Sequence, residues 1–149
     1  MNNYHITTDM ASLQSHAETI HALLKDCFWC KDIPLALVKK FLNHSLCFGI
    51  IHQQDNTLVG FGRVITDYTT FAYMADVIIA DKHRRKKLAS MLVSAIMQHP
   101  ELQNLKSWNL KATDEAINIY LAHGFAPSKS RCPQLEINHY DIYTKSTNS

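Results

Sequence analysis

The chain has 149 residues, 46% hydrophobic and 19% charged, with only four Gly and four Pro, which excludes disordered, collagen-like and low-complexity classes. Fifteen Lys and Arg stand against thirteen Asp and Glu, giving a formal charge of +2. Five of the fifteen cations lie in the run Lys82-His83-Arg84-Arg85-Lys86-Lys87, so outside it ten cations face thirteen carboxylates and the remainder is mildly acidic.

Tyr4–Thr8 alternates as a first strand, and Asp9 can cap a helix carrying Leu13, Ala17, Ile20, Leu24 and Cys27. Asp32 and Pro34 open a second helix with Leu35, Val38 and Leu42 on one face. Leu46–His52 and Thr57–Thr66 flank the turn residues Gln54-Asp55-Asn56 and form a hairpin, and Thr70–Ala80 is a longer third run. Leu88, Met91, Leu92 and Ala95 recur at helical spacing up to His99-Pro100. Lys106–Lys111 reads as a short strand. A helix carrying Ala116, Ile119 and Tyr120 starts near Thr113 and stops at Gly124, a left-handed C′ residue. Ile137–Thr144 alternates as a last strand. One domain is expected over 1–145, with a disordered tail at 146–149.

The longest apolar stretches, such as Val77–Ala80, are far below the ~20 residues of a membrane span. Met1–His5 lacks the cationic start and apolar core of a signal peptide. The expectation is a cytoplasmic protein with no membrane partner. The Cys27-Phe28-Trp29-Cys30 spacing has no second ligand pair to match it, so the four cysteines read as packing thiols and no metal is expected.

The basic run sits where a strand enters a helix, a place at which unpaired N–H groups and the helix dipole attract anions. Cations in a first helical turn oppose that dipole, so their concentration there makes sense if an anion binds. The competing readings are a solvated patch or a nucleic-acid surface. Nucleic acid is disfavoured because the rest of the chain is net acidic.

Arg84-Arg85-Lys86-Lys87-Leu88-Ala89, following the strand Tyr73–Ile79, resembles the Arg/Gln-x-x-Gly-x-Gly/Ala element of the GCN5-related N-acetyltransferase (GNAT) family. Leu58–Val64 looks like the family's hairpin strand, and Asp67–Tyr73 like a segment of one bacterial subgroup. Trp108–Phe125, with Ala116, Tyr120 and Gly124-Phe125, resembles its late Ala-x-x-x-Tyr-x-x-x-Gly-Phe element. The match runs over roughly residues 27 to 127. It implies a mixed α/β (α+β) fold, with flanking helices around a mostly antiparallel sheet of six to seven strands, the fourth and fifth splayed.

By the same resemblance, acetyl-CoA is the acetyl donor and an amine the acceptor. Val77, Ile78 and Ile79 would pair with the pantetheine arm. Arg84, Arg85, Lys86, Lys87, Leu88, Ala89 and Ser90 would hold the pyrophosphate. Thr113 and Ala116 would flank the thioester, and Tyr120 would protonate the departing thiolate. Asp76 is either the proton acceptor or a carboxylate that caps a loop or fixes a bulge. Asp67, Tyr68 and Tyr73 lie near the expected acceptor cleft as recognition candidates. The mildly acidic remainder would suit a cationic amine, and a homodimer is an expected assembly. Arg85 and Lys87 stand where the subgroup usually has Gly, which leaves a non-catalytic CoA-binding protein as the alternative to an enzyme.

Overall fold

In a computed structural model, residues 3–146 are described, with the side chains of 145 and 146 left aside. Five strands form one sheet in the order β1 (Tyr4–Thr7), β2 (Leu46–His52), β3 (Thr57–Thr66), β4 (Phe71–Ile79) and β5 (Ser107–Asn109). The first four pair antiparallel, and β4 pairs parallel with β5. Helices α1 (Met10–Ser15), α2 (Ala17–Leu24) and α3 (Leu35–Leu42) cover one face, and α4 (Leu88–Met97) and α5 (Ile117–Leu121) the other.

The interior strand β2 shows how the sequence builds these layers. Alternation sends Phe48 and Ile50 into the core shared with Leu88, Leu92 and Ile96 of α4, while Cys47 and Ile51 join Leu13, Ile20, Val38 and Leu42 on the other side. Both faces are buried, so the strand reads as nearly continuous apolar sequence.

Several expectations change. The first helix breaks at His16, whose ring Nδ1 lies 2.9 Å from the Ser12 carbonyl, the acceptor its own N–H would take in a continuous helix; that N–H turns to Leu13 instead. The sheet has five described strands rather than six to seven. The expected strand over Ile137–Thr144 is absent: 126–141 is irregular and exposed, and Ile142–Ser146 forms a helix, α6. Leu135 and Ile137 do alternate, yet they are 89% and 90% exposed. β5 is only three residues long and offers little edge for a further strand to pair with. Of the expected tail, Ser146 closes α6 and 147–149 lie outside the described residues. Among the described residues, no helix is long and apolar enough to cross a membrane.

Candidate active site

The irregularity that organises the site lies between β3 and β4. Phe61 pairs with Ile78, but Arg63 pairs with Ala75, so Asp76 and Val77 together oppose Gly62 alone. This is a β-bulge. Asp76 takes the left-handed conformation, φ 58°, which Asp tolerates better than most side chains. A Cβ on Gly62 would lie 3.3 Å from both Leu92 and Val77, so glycine lets β3 lie close under the bulge.

Both carboxylate oxygens of Asp76 are engaged. Arg63 Nε donates to Oδ2 at 2.6 Å and Trp29 Nε1 donates to Oδ1 at 2.8 Å. The ion pair is mostly buried, with side-chain exposures of 19% for Arg63 and 9% for Asp76. The guanidinium also stacks 4.2 Å from the Phe41 ring centroid, which ties α3 to the bulge. Asp76 therefore occupies the bulge-fixing position, with its charge paired by Arg63.

Beyond the bulge β4 has an open edge. Its pairing with β5 covers only Phe71, Ala72 and Tyr73. Ala80 N–H donates to Val59 across β3, so strand alternation turns the main-chain groups of Ile78 toward β3 and those of Val77 and Ile79 outward. The expected splay of the fourth and fifth strands is present as this loss of pairing.

The basic run then forms a short 3-10 turn, Asp81–His83, and a loop into α4. Arg84 is tied back to the end of β4, donating from Nε to the Ile79 carbonyl at 3.2 Å and pairing with Asp81 at 3.0 Å. Arg85 and Lys87 adopt φ 64° and 61°, the left-handed region that explains why glycine suits both positions. Leu88 is buried, Ala89 half-buried and Ser90 exposed. Among the described residues, no hydrogen bond engages the backbone N–H groups of 85–90. Six free donors framed by Arg84, Arg85, Lys86 and Lys87 make a site suited to a polyanion. Next to it, Tyr4 Oη lies 2.8 Å from His83 Nδ1 and accepts from Lys86 Nζ at 3.4 Å. Desolvation, then His52 and Lys86, push His83 below its ordinary value.

Tyr120 is buried on α5, 8% exposed, with its ring 6.0 Å from that of Phe125. It shares a packed cluster with Val77 and Ala116. No buried side-chain polar atom lacks a partner among the described residues, and the Tyr120 hydroxyl has no partner there, so its oxygen opens to solvent. Burial pushes its pKa above the usual phenol value and keeps the proton on. The regular helix starts at Ile117, so Thr113 precedes it in a turn, accepting from the N–H groups of Ala116 and Ile117; Gly124, φ 97°, closes the helix as expected.

The acceptor candidates separate. Asp67 is consumed by the β3–β4 turn, accepting from the N–H groups of Thr69, Thr70 and Phe71 and from the Thr70 hydroxyl; these bonds hold it well below the usual carboxylate range. Tyr68 lines a cavity with Thr8, Ser45 and Thr66. Tyr73 pairs with Asn109 in the sheet. A different cavity, about 480 Å³, opens at the bulge and is lined by Asp76, Arg63, Trp29, Phe41 and Lys40 among others.

Arg63, Trp29 and Phe41 were not among the sequence candidates. For Arg63 a signal existed: it is the lone charge in an apolar hairpin strand, and the turn at 67–70 brings it beside Asp76 in the next one. Trp29 and Phe41 reach the site from distant elements and carry no local mark.

The matching family model, Acetyltransferase (GNAT) family, covers residues 16–125. A candidate acetyltransferase of the GNAT family from Xanthomonas campestris pv. campestris is 39% identical, with a TM-score of 0.87 over 95% of this chain and 96% of that one. A curated candidate acetyltransferase from Gibberella zeae is 28% identical over 125 residues, 69% of this chain and 70% of that protein. A predicted acetyltransferase from Clostridium acetobutylicum, solved with acetyl-CoA, shares the fold at 16% identity and a TM-score of 0.65, covering 91% of this chain and 95% of that one. With the open β4 edge, the free amides before α4 and Tyr120 all falling within the matched span, the chain belongs to the GNAT acetyltransferase family.

Proposed function

We propose that the chain transfers an acetyl group from acetyl-CoA to a primary amine by direct attack in a ternary complex. The observation that carries this reading is the unpaired stretch of β4. The outward main-chain groups of Val77 and the N–H of Ile79 lie between the free amides of 85–90 and the cavity at Asp76. An extended pantetheine arm can add to such an edge as a strand would. Residues 85–90 receive the pyrophosphate through their N–H groups, and Arg84, Arg85, Lys86 and Lys87 neutralise it. Thr113 and Ala116 flank the thioester end.

Main-chain N–H groups at the bulge polarise the thioester carbonyl, and Asp76 serves by holding that bulge through Arg63 and Trp29. The amide C–N bond forms as the thioester C–S bond breaks. Tyr120 gives its proton to the departing thiolate, and water in the open cleft takes the proton from the amine. Cys30 is the one thiol lining the cavity. Its hydrogen bond with Cys27, then burial, push it far above the usual thiol range, which disfavours an acetyl-cysteine route.

The test is thiol release from acetyl-CoA across a panel of amines, beside equilibrium binding of acetyl-CoA. Tyr120→Phe is expected to lower turnover about 10²-fold with acetyl-CoA affinity retained. A wild-type protein that binds acetyl-CoA and releases no thiol with any amine would instead be the non-catalytic CoA-binding variant.

A further inference from the structure

The cavity at the bulge has a chemistry that bears on the acceptor, and the inference that follows rests on the acetyl-transfer reading above. Its single carboxylate, Asp76, already has its charge paired by Arg63 at one oxygen and accepts from Trp29 at the other. Among the described residues, the lining offers no unpaired carboxylate to the second ammonium of a polyamine or the several ammoniums of an aminoglycoside. The lining does carry a cation without a counterion. Lys40, exposed on α3, makes no ion pair or side-chain hydrogen bond among the described residues. With Arg63 cancelled by Asp76, the described lining keeps one net positive charge.

The walls between Lys40 and the bulge are apolar. Leu37 and Trp29 present large apolar surface, 40% and 45% exposed, and the Phe41 ring lies between α3 and Arg63. The cavity volume, about 480 Å³, lies in the range of small-molecule sites.

We infer that the acceptor is an amine bearing a carboxylate on an apolar body, such as an apolar or aromatic amino acid, and that Lys40 is a specificity-determining residue that holds the carboxylate. The apolar body packs against Trp29, Leu37 and Phe41, and the amine reaches the bulge. This reverses the cationic acceptor expected from the overall charge. The acidic excess belongs to the whole surface, whereas selection depends on the charges that line the cleft.

The experiment compares ligands that differ in the carboxylate alone. Binding of phenylalanine, phenethylamine and spermidine to the CoA-loaded protein is measured by calorimetry, and acetylation of the same three by thiol release. Phenylalanine is expected to bind about tenfold tighter than phenethylamine, the value of one charge-assisted contact. Lys40→Glu should abolish that preference, and Lys40→Gln should reduce it, both with unchanged melting temperature. Equal binding of phenylalanine and phenethylamine, tighter binding of spermidine, or a preference untouched by Lys40→Glu would overturn the inference. Carboxylate-selective binding with no acetyl transfer would uphold the pocket's selectivity and defeat the transferase reading, so the two fail separately.

Discussion

Replacing Lys87 by glycine separates two roles that one residue combines. Its backbone sits at φ 61°, ψ 23°, immediately before α4, with no side-chain cap to offset the strain. An L-residue there costs about 1–2 kcal/mol, and glycine gives back about 0.5–1 kcal/mol through the greater entropy of the unfolded chain. Lys87→Gly should therefore be more stable by about 0.5–1 kcal/mol, a rise of about 1–4 °C in melting temperature for a chain of this size. The same change removes one of four cations around the free amides of 85–90, so the affinity for CoA should fall by about three- to tenfold, with a shallower dependence on salt. Differential scanning calorimetry reads the first effect and titration calorimetry at two ionic strengths reads the second. An unchanged or lower melting temperature would refute the strain argument. An unchanged affinity would show that Lys87 makes no contact with the phosphates.

Asp76→Asn keeps tolerance for the left-handed backbone and an acceptor for Trp29, but strands the Arg63 charge. About 3 kcal/mol of stability should be lost, roughly 6–12 °C in a thermal melt, and a shift under 1 °C would show that the pair does not hold the bulge. His83 is held below its ordinary value of 6.5, so the unfolded chain binds more protons in that window. Stability is whole above about pH 7 and falls as pH drops through 6.5, and His83→Gln should flatten that limb of a melting-temperature profile. Tyr120, raised above its ordinary value of 10, should stay protonated through pH 10, so turnover should show no alkaline fall from this group below that pH.

The strands β2, β3 and β4 and the helix α4 were legible because their signals are local. Alternation, the Asp55-Asn56 turn and a run of apolar residues at helical spacing each act within ten residues. The basic run before α4 was equally plain, since a strand entering a helix leaves donors free whatever lies around it. Gly124 marked the end of α5 for a similar reason, as only the left-handed region serves there. The expected strand at Ile137–Thr144 shows the limit of such signals: alternation fits a segment for pairing, but pairing needs an edge within reach.

The site itself was decided in three dimensions. Asp76 could be read from sequence as a base or as a bulge-fixing residue, and the choice of contacts depended on Trp29, 47 residues away, and on Phe41 beneath Arg63. Glycine was the expected residue at 85 and 87, yet Arg85 and Lys87 take the same left-handed backbone, because the packing of β4 against α4 sets the path of the loop. The net charge carried the same lesson at both ends of the molecule. The sequence by itself located a cationic loop in an otherwise acidic chain. Only tertiary structure brought Lys40 to the cleft at the bulge, where folding pairs Asp76 with Arg63 and Lys40 has no ion pair among the described residues.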